Sequence, residues 1–94
     1  MDFEWDQEKN VENIEKHGVS FSDASLAWQD PNRVSSKDRK HSKPGEERSF
    51  LFGWVRGGVL TVRFTRKGNT IRIIGAGYWR AGKDKYEQAN RFRR

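Results

Sequence analysis

Apolar residues recur along this chain with two different spacings, one helical before residue 30 and one stranded after residue 48. Val11 and Ile14 lie three apart in a stretch otherwise made of acids, amides and basic residues, the mark of a short amphipathic helix. Asp6 is placed to cap it, and Gly18 stands where a left-handed residue would end it after His17. A second stripe of Phe21, Ala24, Ala27 and Trp28 follows Ser20, which can cap a second helix with Asp23 as a weak capping-box partner. Asp30-Pro31-Asn32 stops that helix. Residues 33–47 hold one aliphatic side chain, Val34, and read as a basic loop with a short edge strand around it.

From Arg48 onward the pattern changes to strands. Arg48–Arg56, Val59–Arg66 and Asn69–Ala76 are rich in β-branched and aromatic residues, and Gly57-Gly58 and Lys67-Gly68 separate them as hairpin turns. Those turns predict a register. Leu51, Phe64 and Ile71 share one row, and Gly53, Val62 and Ile73 share the next, as a core face. The opposite face then carries Phe52, Arg63 and Arg72 in one row and Trp54, Thr61 and Ile74 in the other. After Gly77-Tyr78-Trp79 comes a last helix from about Arg80 to Arg91, with Tyr86 and Ala89 inward, then the basic end Arg91-Phe92-Arg93-Arg94. The expectation is a single α+β domain over residues 1–94: two N-terminal helices, an antiparallel β-meander of three to four strands and a C-terminal helix.

Composition narrows the function classes. A chain of 94 residues supports one modest core. It has no cysteine, so neither a disulfide framework nor a thiolate metal site is available. The opening Met1-Asp2-Phe3-Glu4-Trp5-Asp6 has no basic leader or apolar core of a signal peptide, and no apolar run has membrane-spanning length. A cytoplasmic protein without membrane association is expected. The formal net charge is +6, unevenly spread: residues 1–31 carry eight acids against two lysines, leaving the rest strongly basic. A dipolar molecule of this kind attracts polyanions with its basic side.

The predicted register sharpens that reading. Arg63 directly opposite Arg72, among aromatics, is unfavourable unless an anion such as phosphate comes between them; the alternative is an arginine lying over Trp54 or Phe52 as a cation–π contact. The basic loop adds Lys37, Arg39 and Lys40 as RNA-binding candidates, and Trp79 and Arg80 stand beside the proposed face. Trp54, Tyr78 and Trp79 can stack on bases, or Trp54 can pack beneath the N-terminal segment. No phosphate-cradling glycine loop, metal-ligand cluster or nucleophile elbow is present, so neither cofactor nor metal is expected.

Several motifs, in order, resemble the BrnT toxins. They are Phe3-Glu4-Trp5-Asp6, Lys9, Asn13, Lys16-His17-Gly18-Val19-Ser20-Phe21, Asp38, His41-Ser42, Glu46-Glu47-Arg48, Thr65-Arg66, Ile71-Arg72-Ile73-Ile74 and Tyr86-Glu87. The resemblance implies a RelE-like fold and a metal-independent endoribonuclease that inhibits translation as the toxin of a type II toxin–antitoxin system. It also implies a cognate BrnA-like antitoxin as partner, promoter DNA bound only through that antitoxin, and an RNA substrate, possible on ribosome-associated mRNA.

Such cleavage takes a proton from the 2′-hydroxyl, gives one to the leaving oxygen and neutralises the phosphorane. Arg48, Arg66 and Arg72 are the catalytic arginine candidates, with Arg63 next, because a guanidinium stays charged and binds phosphate bidentately. His41 and Glu47 are the proton-transfer candidates. His17, at a helix C-terminus, is better explained by the helix dipole. The chain departs from the family where Ile-Ser-Ala-Arg is expected and Ile74-Gly75-Ala76-Gly77 stands. Either Arg80 reaches back to replace the missing arginine, or the chain is a degenerate toxin that binds RNA or antitoxin without cleaving.

Overall fold

The computed structural model describes residues 1–92; Arg93 and Arg94 of the basic end lie outside them. Nine elements follow in order: β1 (Asp2–Glu4), α1 (Gln7–His17), α2 (Phe21–Ser25), a 3-10 turn (Leu26–Gln29), β2 (Val34–Lys37), β3 (Arg48–Val55), β4 (Gly58–Lys67), β5 (Thr70–Gly77) and α3 (Arg80–Asn90). The strands form one mixed five-stranded sheet in the order β1-β5-β4-β3-β2, with β1 parallel to β5 and the other pairs antiparallel.

This corrects the expected architecture of two N-terminal helices and a three- to four-stranded antiparallel meander. There is one full N-terminal helix; the second is five α-helical residues that tighten into the 3-10 turn. Ser20 Oγ does accept from the Asp23 amide, but Asp30-Pro31 leaves no room for a longer helix. The sheet gains β1 beside β5, and Phe3 within it packs edge-on against Trp28 at 5.2 Å.

The helical face of α1 is corrected too. Val11 and Ile14 point outward, and the inward side carries Asn10 and the buried Asn13. Asn13 Nδ2 donates to the Val19 and Ala76 carbonyls, and its Oδ1 accepts from the Ala76 amide. Because β1 pairs only with residues 70–72 of β5, the upper edge of β5 lacks a strand neighbour. The amide of Asn13 supplies the missing donor and acceptor there, which an apolar residue could not.

α1, α2 and the 3-10 turn cover the inner face of the sheet. Phe21, Ala24, Ala27, Leu51, Leu60, Val62, Phe64, Ile71, Ile73 and Ala76 form the core there. Gly53 permits this packing: a Cβ would lie 2.7 Å from the Ala27 carbonyl oxygen. α3 covers part of the outer face, over Phe52 and Thr61, with Gly82 against the sheet. Its inward stripe is Gly82, Tyr86 and Asn90, not Ala89, which is exposed.

The predicted register slips at both turns. The first turn is Arg56-Gly57, with φ of 50° and 89°, so Leu51 pairs with Val62. The second centres on Gly68-Asn69, and a bulge opposite Arg63/Phe64 shifts the upper part of β5 by one more residue. A slip of two leaves each side chain on its face, so the core membership of Leu51, Val62, Phe64, Ile71 and Ile73 survives. The rows do not. Arg63 faces Phe50 and Gly75 instead of Phe52 and Arg72, and Arg72 faces Thr65.

Candidate functional site

The outer face is half covered, and its open half is where chemistry-bearing side chains meet. Asp38 leaves the end of β2 and is buried, while the neighbouring Arg39, Lys40 and His41 are exposed. Its backbone amide donates to the Arg48 carbonyl at 2.8 Å. Ser42 Oγ donates to the Asp38 carbonyl and accepts from the Arg48 amide, which ties the loop to the start of β3. The loop is therefore held at its base, and Lys43-Pro44-Gly45-Glu46 closes it as a tight turn.

The Asp38 carboxylate accepts from the His41 amide at 3.3 Å, lies 2.9 Å from His41 Nδ1 and 3.5 Å from Arg63 Nη2. Burial alone would raise its pKa; hydrogen bonds from the His41 ring and backbone, and the charge of Arg63, outweigh that and hold it below the ordinary aspartate range. An ionised carboxylate only accepts, so Nδ1 of His41 carries the hydrogen. Nε2 is left available on a half-exposed ring.

Arg63 lies between Asp38 and the Phe50 ring, 6.0 Å from its centroid. The cation–π contact expected on Phe52 or Trp54 is thus made with Phe50. Its Nε is buried without a hydrogen-bond partner. Gly75 is the cross-strand neighbour of Arg63, and nothing lies within 4 Å of where a Cβ on it would stand. That leaves open space on the sheet surface next to Arg63, on its β5 side. Arg48 and Arg72 share the adjacent row through Thr65; Arg48 pairs with Glu46 at 3.2 Å and Arg72 with Glu4 at 3.0 Å. Each outer-face arginine has an acid beside it, contrary to the expectation of uncompensated arginines.

Glu47 and Arg66 stand apart from this group. With Lys37 they line an open inner-face cleft of about 580 Å³, along with Arg33, Ser49 and Phe64. Glu47 pairs with Lys37 at 3.3 Å. The alternation of β3 and β4 makes the split unavoidable: Glu47 and Arg66 lie one residue from Arg48 and Thr65, hence on the other side.

Trp79 lies on the outer face with its indole over Gly77, where a Cβ would collide with the ring, and meets His17 edge-on at 5.1 Å. An arginine at 77 and this tryptophan exclude each other. Arg80 lines a separate cleft with Tyr78, Lys83, Asp84 and Glu87, and does not join Arg63. The sequence reading missed Asp38 as part of the site; its spacing of three residues before His41 was the available signal. Among the described residues, no three or more His, Asp or Glu side chains gather as metal ligands would.

A sheet face with a carboxylate-held histidine, three arginines and partly open aromatic rings has the makeup of a polyanion-handling surface. Residues 5–82 match the family model of the ribonuclease toxin BrnT of type II toxin–antitoxin systems, and the chain belongs to that family. Membership implies a ribonuclease toxin and an antitoxin partner. A search of curated proteins gave no match. Among the described residues, no helix is long and apolar enough to cross a membrane.

Proposed function

We propose that residues 1–94 act as one toxin domain, an endoribonuclease that cuts RNA without a metal, inhibits translation and is neutralised by a cognate BrnA-like antitoxin. The reading rests on the BrnT family, not on wider kinship to RelE-type toxins. The observation that carries it is the Asp38–His41–Arg63 cluster beside the open space at Gly75. In this reading Asp38 orients the ring, and His41 Nε2 takes the 2′-hydroxyl proton. The 2′-oxygen bonds to phosphorus as the P–O5′ bond breaks, and the leaving 5′-oxygen takes its proton from water. Arg63 holds the scissile phosphate, taking the place of the arginine that Gly77 lacks, and Arg48 and Arg72 hold the neighbouring phosphates. Arg39 and Lys40 extend the basic rim. Lys37, Glu47 and Arg66 lie on the other face and serve RNA or antitoxin contacts rather than the cut. Antitoxin binding masks the basic surface, and promoter DNA is reached through the antitoxin.

The degenerate-toxin alternative is favoured by one observation, the indole occupying the space over Gly77. Inducing the chain in a bacterium, with growth and message integrity followed, tests the first reading. Growth arrest with fragmented RNA, abolished by His41→Ala, supports it; normal growth with soluble, folded protein overturns it in favour of the second.

A further inference from the structure

Between the outer face and α3 lies a cleft of about 410 Å³ that the phosphate reading leaves unused. Phe50 and Phe52 form one wall, their rings 6.1 Å apart and near parallel at 18°. Trp79 and Gly82 form another, and Lys85 stands at the rim. Among the described residues no carboxylate lines it: Asp84 and Glu87 face the cleft on the other side of α3. Thr61, also lining it, is 6% exposed, and its Oγ1 has no hydrogen-bond partner. Gly82 packs directly over that hydroxyl.

We infer that this cleft is a base-binding subsite, which takes one unstacked base of single-stranded RNA while the adjoining phosphate lies on Arg63. The inference rests on the proposed reading of the outer face. Aromatic walls suit the flat face of a base, and Lys85 at the rim, with Arg63 on the far side of the Phe50 wall, suits the phosphate attached to it. Phe50 joins the two parts, since its ring borders the cleft and carries the Arg63 guanidinium over it. An apolar peptide side chain would fill the walls but bring no anion to the cations near them.

The test uses the full chain and short 2′-O-methyl RNA oligonucleotides, which bind but cannot be cut. An abasic unit is moved along the oligonucleotide and affinity is read by fluorescence anisotropy at low salt. One abasic position is expected to weaken binding about fivefold or more, with little effect elsewhere. Phe50→Leu, which keeps an apolar side chain and whose fold is checked by its thermal melt, is expected to erase that penalty. Equal binding of every abasic oligonucleotide, with Arg63→Ala still weakening them all, overturns the base subsite and leaves the phosphate reading standing. If Arg63→Ala changes nothing, the outer-face reading falls as well. Self-association that Phe50→Leu abolishes would assign the cleft to a second copy and overturn the inference.

Discussion

The two faces of the sheet carry similar residue types but treat them differently. On the inner face, helix and turn seal most of the surface, and the basic groups are pushed to a margin where Lys37 and Glu47 pair in water. On the outer face α3 covers only part of the sheet, and a buried carboxylate holds a histidine and an arginine at its open half. An exposed pair such as Lys37–Glu47 fixes little, because water screens it and both side chains stay mobile. A buried carboxylate with four hydrogen-bonding contacts fixes its partners, since leaving any of them unmade is costly. Charge alone does not distinguish the two faces; charge held in place does.

The largest effect that could break this comparison is on catalysis. His41→Ala is expected to lower RNA cleavage by roughly 10²–10⁴-fold, while Glu47→Gln and Arg66→Ala keep most of it. Purified variants assayed on one RNA decide the matter, and a loss at Glu47 as severe as at His41 would move the site to the inner face.

Next in size is the link between α1 and β5. Asn13→Ala strands the amide and carbonyl of Ala76, at roughly 1–3 kcal/mol for each group left unpaired. Denaturant unfolding measures it. A similar loss on replacing the exposed Ile14 by alanine would mean that α1 packs by its apolar pair after all.

Gly77→Ala forces the Trp79 indole off the sheet and is expected to cost about 1–3 kcal/mol. Thermal melts, with Trp79 fluorescence as the local probe, will show whether the outer face depends on that contact.

A smaller effect concerns how α3 is held. The Tyr86 hydroxyl donates to Asp30 Oδ2 at 2.6 Å, and Asp30 also accepts from the Trp54 amide, so one carboxylate joins α3 to the edge of β3. Burial, and then the bond to Asp30, push the Tyr86 pKa up to about 12. A raised value means the folded state holds the proton more tightly. The stabilisation is therefore complete below pH about 10 and lost as pH rises toward about 12. Tyr86→Phe should cost about 1 kcal/mol at neutral pH, and the difference from the parent should vanish in alkaline melts. The smallest change is expected at the other glycine of the pair: Gly75→Ser enters open space and should shift stability by no more than about 0.5 kcal/mol.

Much of this molecule was legible in the order of its residues. Asp6 and Ser20 cap helices and Gly18 ends one at φ 70°, because capping is chemistry between residues two to four apart. The strand composition from Arg48 to Gly77 and the membership of the core face followed from alternation, which a register slip of two leaves intact. The ordered motifs that resemble BrnT toxins contain His41, Arg48, Arg66 and Arg72, whereas Arg63 was singled out by the predicted strand register. What the chain alone did not decide was who stands next to whom. Arg56 adopts the left-handed turn that Gly58 could have taken, and a bulge opposite Arg63/Phe64 adds one residue to β5. The bulge, together with a second turn centred on Gly68-Asn69, removes Arg72 from Arg63 and puts Gly75 in its place. The parallel edge strand β1, the amide of Asn13 on the upper edge of β5 and the burial of Asp38 are likewise tertiary outcomes. Each satisfies backbone or charged groups left unpaired by elements distant in sequence, and no local pattern records such a debt.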